Sequence, residues 1–229
     1  MSSQSVALDE RLRTVASLVR RGTVVADIGT DHAYLPVYLV QKGICPAGIA
    51  ADLRSGPLAA ARAHVAEVGL TDRIALRLGD GLAPLRPGEA GDIVIAGMGG
   101  ETIAQILSAA DAALICRQDV RLILQPMTHA EQTRLWLSQN GFSVLTERLV
   151  IDGRHLYPVI AAQFTDAPPS NDLVAAYAGF FSDEEGRTYR AAVARHLRRR
   201  ADGIGRADPA AAAELSALAD RVETFSCSE

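Results

Sequence analysis

The chain has 229 residues, 48% of them hydrophobic, which is enough for one α/β domain and a small appendage. Its 23 basic and 27 acidic residues leave a net charge of −4, so it is not built throughout to coat nucleic acid, and any RNA contact must come from a local patch. Cys45, Cys116 and Cys227 have no Cys-x-x-Cys spacing, the five histidines are scattered, and no apolar run approaches the roughly 20 residues that span a bilayer. Disulfides, a metal centre and a membrane span are therefore not expected, and a reducing cytoplasm is.

The first ten residues are polar and lack the apolar core of a signal peptide. Leu8, Leu12, Val15, Ala16 and Val19 recur at helical spacing and predict an amphipathic helix over about 7–20, with Arg11 and Arg13 on its polar side and Arg20-Arg21 complementing its C-terminus. Val24-Val25-Ala26-Asp27-Ile28-Gly29 reads as a strand buried on both faces. A helix follows to Lys42-Gly43, with Asp31 as a candidate cap and Pro36 near its first turn. Residues 48–53 and 73–78 read as further strands with a helix between them that Pro57 opens and Gly69 ends. Residues 92–96 predict a fourth strand closing on Gly97-Met98-Gly99-Gly100, and a helix through Ile103, Ile106 and Leu107 follows. Val120 to Leu124 predicts a fifth strand stopped by Gln125-Pro126, then a helix over 134–140 capped by Gly141.

The alternation then ends. Residues 142–150 and 155–164 are β-rich and flank Asp152-Gly153, a hairpin signal. The expected fold is thus an α/β, Rossmann-like sheet, mostly parallel, with one antiparallel strand near its edge. Asp166-Ala167-Pro168-Pro169-Ser170-Asn171 is a linker by composition. Two helices over about 172–200 and 208–225, separated by Asp202 to Arg206, predict an antiparallel helical hairpin. The division expected is residues 1–166 and 171–226.

Four strand ends carry acids or glycines: Asp27/Gly29, Asp52, Asp80, and Gly97 to Gly100. All fall at the carboxyl edge of one sheet, where α/β proteins bind ligands. Asp52 is placed to accept from two ribose hydroxyls, Asp80 from an exocyclic adenine amine, with Leu53 or Leu82 against the ring. Gly29 lets a cofactor tail lie on the backbone. Any one such acid is more often a turn or cap residue; the ordered set carries the argument. The turn Asp27-Ile28-Gly29-Thr30-Asp31-His32 has one glycine and two carboxylates, where a dinucleotide fingerprint needs several glycines. Carboxylates repel a pyrophosphate and attract the ammonium and sulfonium of S-adenosyl-L-methionine, so the latter fits on electrostatics.

Asp27-Ile28-Gly29-Thr30-Asp31-His32-Ala33-Tyr34-Leu35-Pro36, Ala96-Gly97-Met98-Gly99-Gly100-Glu101-Thr102-Ile103 and Leu124-Gln125-Pro126-Met127 with Arg134-Leu135-Trp136-Leu137 resemble the bacterial tRNA (adenine-22-N1)-methyltransferase family over residues 8–164. The resemblance implies a class I methyltransferase domain using S-adenosyl-L-methionine, a C-terminal two-helix coiled coil and a tRNA partner. It implies cofactor contacts at Asp27, Gly29, Asp52 and Asp80, to which Thr30, His32, Leu53, Gly81, Gly97 and Gly99 are added from the same loops. The catalytic candidates are Asp31, His32, Tyr34 and Met98. His32 can meet the cofactor carboxylate or the target base, or only cap a helix. Tyr34 can stack on a flipped base or pack on the first helix. Asp31 can meet the adenine amine, and Met98 is equally read as core. The candidate RNA contacts are Arg11, Arg13 and Gln125, together with Arg187, Arg190, Arg195, Arg198 and Arg199 in the densest basic cluster of the chain, the run 187–200 that Arg200 ends, each arginine also readable as part of a solvated helix face.

The acceptor loop has neither an Asn/Asp-Pro-Pro-aromatic motif for an exocyclic amine nor a Pro-Cys nucleophile for cytosine carbon. Adenine N1, with an in-plane lone pair, needs alignment more than a base. A monomer without metal is expected. Two other readings remain at this stage: methyl transfer to another RNA or a small molecule, and an RNA-binding protein of the same fold without turnover.

Overall fold

A computed structural model describes residues 7–181 and 183–226. Residues 1–6, Ser182 and Cys227 lie outside the described residues. Among the described residues, seven strands form one sheet in the order β3-β2-β1-β4-β5-β7-β6. The strands are β1 (Val25–Ile28), β2 (Gly48–Asp52), β3 (Ile74–Leu78), β4 (Asp92–Gly99), β5 (Arg121–Thr128), β6 (Phe142–Asp152) and β7 (His155–Phe164). Strands β1 to β5 pair parallel, and β7 runs antiparallel between β5 and β6. This is the Rossmann-like sheet expected, with its antiparallel strand one place from the edge.

The helices α1 (Glu10–Leu18), α2 (Tyr34–Gln41) and α3 (Ser55–Glu67) cover one face; α4 (Gly100–Ser108), α5 (Ala112–Ile115) and α6 (Ala130–Gln139) cover the other. Because side chains alternate across a strand, Ala26 and Ile28 of β1 join Ile103 and Leu107 of α4, whereas Val25 joins Val15 of α1 and Leu35 of α2. Asp27 continues the Val25 row towards α1 and α2. The order of strands reverses between β1 and β4, and crossovers leaving in opposite directions open a cleft there at the carboxyl edge.

Local geometry departs from the expected reading at several points. β4 runs on to Gly99, and β5 passes through Gln125-Pro126 to Thr128. The two strands keep pairing (Ala96 with Gln125, Met98 with Pro126, Gly99 with Thr128) through register shifts, and an irregular ladder tolerates a proline that lacks an N–H. Asp31 does not cap α2. The cap is Ala33 in the left-handed region (φ 55°), with no side-chain bond, and Thr30 Oγ1 accepts from Ala33 N instead (3.2 Å). Arg20 does not complement a helix end: its backbone and side chain donate to the buried carboxylate of Asp92, stapling the loop after α1 to the start of β4. Asp152 pairs with His155, so the hairpin turn is Gly153-Arg154.

The C-terminal part differs more. The helix expected over 172–200 breaks at Gly179 (φ 72°) into α7 (Leu173–Ala178) and α8 (Asp183–Ile204), and α9 (Pro209–Glu223) packs back along α8. Gly203 lies inside α8 and not in the turn. Val174, Leu197, Ala219 and Val222 form a separate small core. A buried ion pair joins this part to the sheet. Arg134 of α6 donates through Nε and Nη2 to Glu147 Oε1 of β6 (3.1 and 2.6 Å) and through Nη1 to the Ala176 carbonyl and Tyr189 hydroxyl. Glu147 Oε2 accepts from Phe180 N (2.7 Å), and the Phe181 and Tyr189 rings lie against the guanidinium. Burial pulls the Arg134 pKa down, but Glu147 beside it holds it above the usual arginine value.

Candidate active site

The cleft at the carboxyl edge holds a cavity of about 620 Å³. Its walls come from the ends of β1 (Ile28, Gly29), β2 (Asp52 and the following Leu53-Arg54), β3 (Gly79 to Ala83) and β4 (Ala96 to Met98), closed by Thr102, Gln105 and Ile106 of α4. Asp52, Leu53, Asp80, Gly81, Gly97, Met98 and Gly29 all line it, so the strand ends singled out by sequence meet in one space. Leu53 and Asp80 stand exposed at the rim and Leu82 is buried beneath. The α4 wall was not read from sequence as part of the site: Thr102 stood in the Ala96–Ile103 motif and Ile106 on the helix after it, but spacing did not show that Thr102, Gln105 and Ile106 turn to the cleft.

Two glycines are required by their surroundings. Gly29 takes φ 75°, and a Cβ there would collide with the Met98 methyl, so Met98 lies directly over the turn after β1. Gly100 opens α4 against α6, where a Cβ would run into the His129 carbonyl. The Gly97-Met98-Gly99-Gly100 run is therefore part strand, part helix start. Met98 is both partly buried core and cavity wall.

Asp27 and Asp52 are buried, yet differ in setting. Asp52 Oδ1 accepts from Arg54 N (2.7 Å), and the exposed Arg54 guanidinium stands 3.7 Å away. Asp27 lies on the other side of Gly29, outside the cavity lining. Burial pushes its pKa from an ordinary 3.8 up to about 6, against the opposing pull of the Thr30 hydroxyl bonded to it and of Arg11; nearby Asp52 pushes it up further. Among the described residues no cation pairs directly with Asp27.

Arg11 and Gln125 were expected to touch RNA, and the structure corrects this for Gln125. Gln125 is fully buried, its Oε1 accepting from Arg11 Nη1 (2.9 Å) and from Gly97 N (3.0 Å), its Nε2 donating to the Pro126 carbonyl. It fixes the Gly97 turn to α1, and Arg11 serves that assembly beside Asp27. Arg13 is exposed.

Asp31, His32 and Tyr34 do not line the cavity. They sit beyond Gly29 at the start of α2, where the His32 and Tyr34 rings stack at 5.2 Å, Tyr34 meets His64 of α3 at 5.1 Å, and His64 Nδ1 bonds the His32 carbonyl (2.7 Å). Asp31 is exposed with its carboxylate 3.6 Å from His32 Nε2. His64 was missed because a lone helical histidine carries no pattern. The arginine cluster is only partly available. Arg190 is buried against Gly186, and Arg198 bridges Asp220 (2.7 Å) and Glu223 (2.6 Å) of α9, so neither is the free phosphate contact expected. Arg187, Arg195 and Arg199 are exposed. Among the described residues no group of His, Cys, Asp and Glu could hold a metal ion, and no helix is long and apolar enough to cross a membrane.

The model of a family described as "Methyltransferase domain" matches residues 8–160. The tRNA (adenine(22)-N(1))-methyltransferase of Bacillus subtilis is 40% identical over 172 residues, 75% of this chain and 71% of that protein. The crystal structure of the B. subtilis m1A22 tRNA methyltransferase TrmK superposes with a TM-score of 0.79 at 32% identity, covering 95% of this chain and 99% of that one. A Streptococcus pneumoniae relative solved in complex with S-adenosyl-L-methionine superposes with a TM-score of 0.79 at 29% identity, covering 95% and 100%. A cleft built from the four ordered strand ends, and likeness along nearly the whole chain to proteins of one kind, lead to one conclusion: this chain belongs to the tRNA (adenine(22)-N(1))-methyltransferase family.

Proposed function

We propose that the protein transfers a methyl group from S-adenosyl-L-methionine to N1 of an adenine in tRNA, at position 22 as in its relatives, and does so as a monomer in the cytoplasm. The observation that carries this is the pair of buried carboxylates, Asp27 and Asp52, flanking Gly29 beside the 620 Å³ cavity. The residues present fit that cofactor. Asp52 lines the cavity with one oxygen already committed to Arg54 N, leaving the other for ribose hydroxyls. Leu53 and Leu82 bracket an apolar slot for the adenine ring, and Asp80 stands at its rim for the amine. Asp27 is a desolvated carboxylate with no direct counter-ion among the described residues, the setting in which an incoming cation is held strongly.

When bound, the cofactor supplies an electrophilic methyl on its sulfonium. The chain supplies position and exclusion of water. Gly29, whose lack of a side chain lets the backbone approach closely, and Gly97, anchored by Gln125, shape the floor, and Met98 covers the turn. The stacked pair of half-buried His32 and exposed Tyr34 is a platform on which an unpaired adenine can rest with its Watson–Crick edge towards the cleft. N1 attacks with its own lone pair, so no side chain has to remove a proton first, and catalysis is chiefly alignment. Asp31, exposed beside His32, is the candidate acceptor for the adenine amine. The exposed Arg187, Arg195 and Arg199 hold the RNA from the segment 171–226, while 1–166 carries the chemistry.

The test is to incubate unmodified tRNA with the protein and methyl-labelled S-adenosyl-L-methionine and to analyse the nucleosides. Labelled 1-methyladenosine is expected; label on another nucleoside, or none, refutes the proposal.

A further inference from the structure

A second concavity, of about 410 Å³, opens on the same edge of the sheet, between the end of β5, the β6–β7 turn and the helices α7 and α8. Nothing in the cofactor cleft uses it. Its floor is Pro126 to Thr128, the residues that carry β5 past its expected end. Pro126 pairs with Met98 and Thr128 with Gly99, so the groove begins one strand spacing, about 4.8 Å, from the acceptor loop. A polymer whose reacting unit lies beside Met98 therefore has this floor within reach of its neighbouring unit.

The lining suits a nucleotide. Arg154, in the hairpin turn, and Arg200, in α8, face the groove from opposite walls, and both are exposed. Arg154 has no ion-pair partner among the described residues. Arg200 lies near the Tyr177 hydroxyl, whose half-buried ring lines the same groove. His155 and His196 add two exposed imidazole rings. The carboxylate lining the groove, Glu131, is mostly covered and turned to His129 Nδ1 (3.1 Å). Two guanidiniums with no ion pair among the described residues, and aromatic rings in the same lining, suit a phosphate and the base beside it.

We infer that this groove is a subsite for a nucleotide of the substrate RNA adjacent to the one methylated, its phosphate held between Arg154 and Arg200 and its base laid against the Tyr177 and His155 rings. The inference rests on the proposed tRNA activity and locates its RNA register: the groove joins the sheet to the C-terminal helices, so it measures the distance from the reacting base to the RNA that those helices hold. Arg200 ends the arginine run 187–200 picked out by sequence, whereas Arg154 stands outside it, because Arg154 reaches the groove only through the hairpin.

The test measures binding of an unmodified tRNA transcript across a range of salt, for the wild type, for Arg154→Ala/Arg200→Ala, and for a charge-matched control, Arg62→Ala/Arg148→Ala, which removes two exposed arginines outside the groove. S-adenosyl-L-methionine affinity and the thermal midpoint are followed in parallel as checks on the fold. Loss of the one phosphate held between the two guanidiniums is expected to flatten the slope of log affinity against log salt by about 0.7 to 0.9 and to raise the KM for tRNA at least tenfold, with cofactor affinity unchanged. The control should keep the wild-type slope within about 0.5. An unchanged slope in the groove variant, or an equal change in the control, overturns the subsite while leaving wild-type methyl transfer as a separate measure of the proposed activity. If the wild type neither binds nor methylates tRNA, both fall.

Discussion

Asp27 and Asp52 are two buried carboxylates at one edge of the sheet, the first outside the cavity lining and the second within it, given different work by their surroundings. Asp52 is held by Arg54 N and faces the cavity, ready to accept from neutral hydroxyls. Asp27 is desolvated, so its proton is retained up to about pH 6. The unfolded chain gives up that proton near 3.8. Between those values the folded state holds the extra proton, and stability from this group falls as pH rises through the window, by about 3 kcal/mol if the whole shift is expressed. A bound cation reverses the preference. Cofactor affinity is therefore expected to rise by up to about tenfold per pH unit from pH 5 towards 6 and then level off, and Asp27→Asn should flatten that profile. Calorimetric titration with S-adenosyl-L-methionine from pH 5 to 8 checks this; a flat wild-type profile would show that Asp27 does not face the cofactor's charge.

At the scale of elements, the carboxyl ends of β1 to β3 were legible because each strand stops at an acid or glycine, a local pattern, whereas β4 meets its glycines and still runs on to Gly99. The end of β5 was not. Gln125-Pro126 reads as a stop, yet the strand continues, because an irregular ladder accepts the proline and because Gln125 has long-range partners, Arg11 and Gly97, that no window of sequence reveals. The same holds for the arginines of α8: spacing places them on a helix but cannot say that Arg190 turns inward or that Arg198 is spent on α9. Removing the buried amide should show its structural role. Gln125→Ala leaves Gly97 N and Arg11 without their acceptor and is expected to cost about 1–3 kcal/mol in denaturant unfolding, with a fall in methyl transfer as the Gly97 turn loosens. Unchanged stability would mean that water replaces the amide without penalty.

For the molecule as a whole, the question is how two cores act as one enzyme. The Arg134–Glu147 pair answers it, binding α6 and β6 of the sheet to the carbonyl of Ala176, the amide of Phe180 and the hydroxyl of Tyr189. Sequence showed Arg134 only as part of a family motif, since a pair joining helix to strand leaves no period. Arg134→Met strands Glu147 in the interior and is expected to lower unfolding stability by about 3–5 kcal/mol. Cofactor binding to the surviving folded protein should change little, because the pair lies away from the cavity, whereas tRNA binding should weaken as the C-terminal helices lose their register. Equal loss of both ligands would contradict this division. The central claim is that carboxylates along one edge of the sheet hold a cationic methyl donor, and titration of wild type and Asp52→Ala with S-adenosyl-L-methionine tests it most directly. The account predicts a folded variant whose affinity falls about 10- to 100-fold, the worth of hydrogen bonds to a charged acceptor. Equal affinity in the two proteins, or no binding by the wild type, would contradict it.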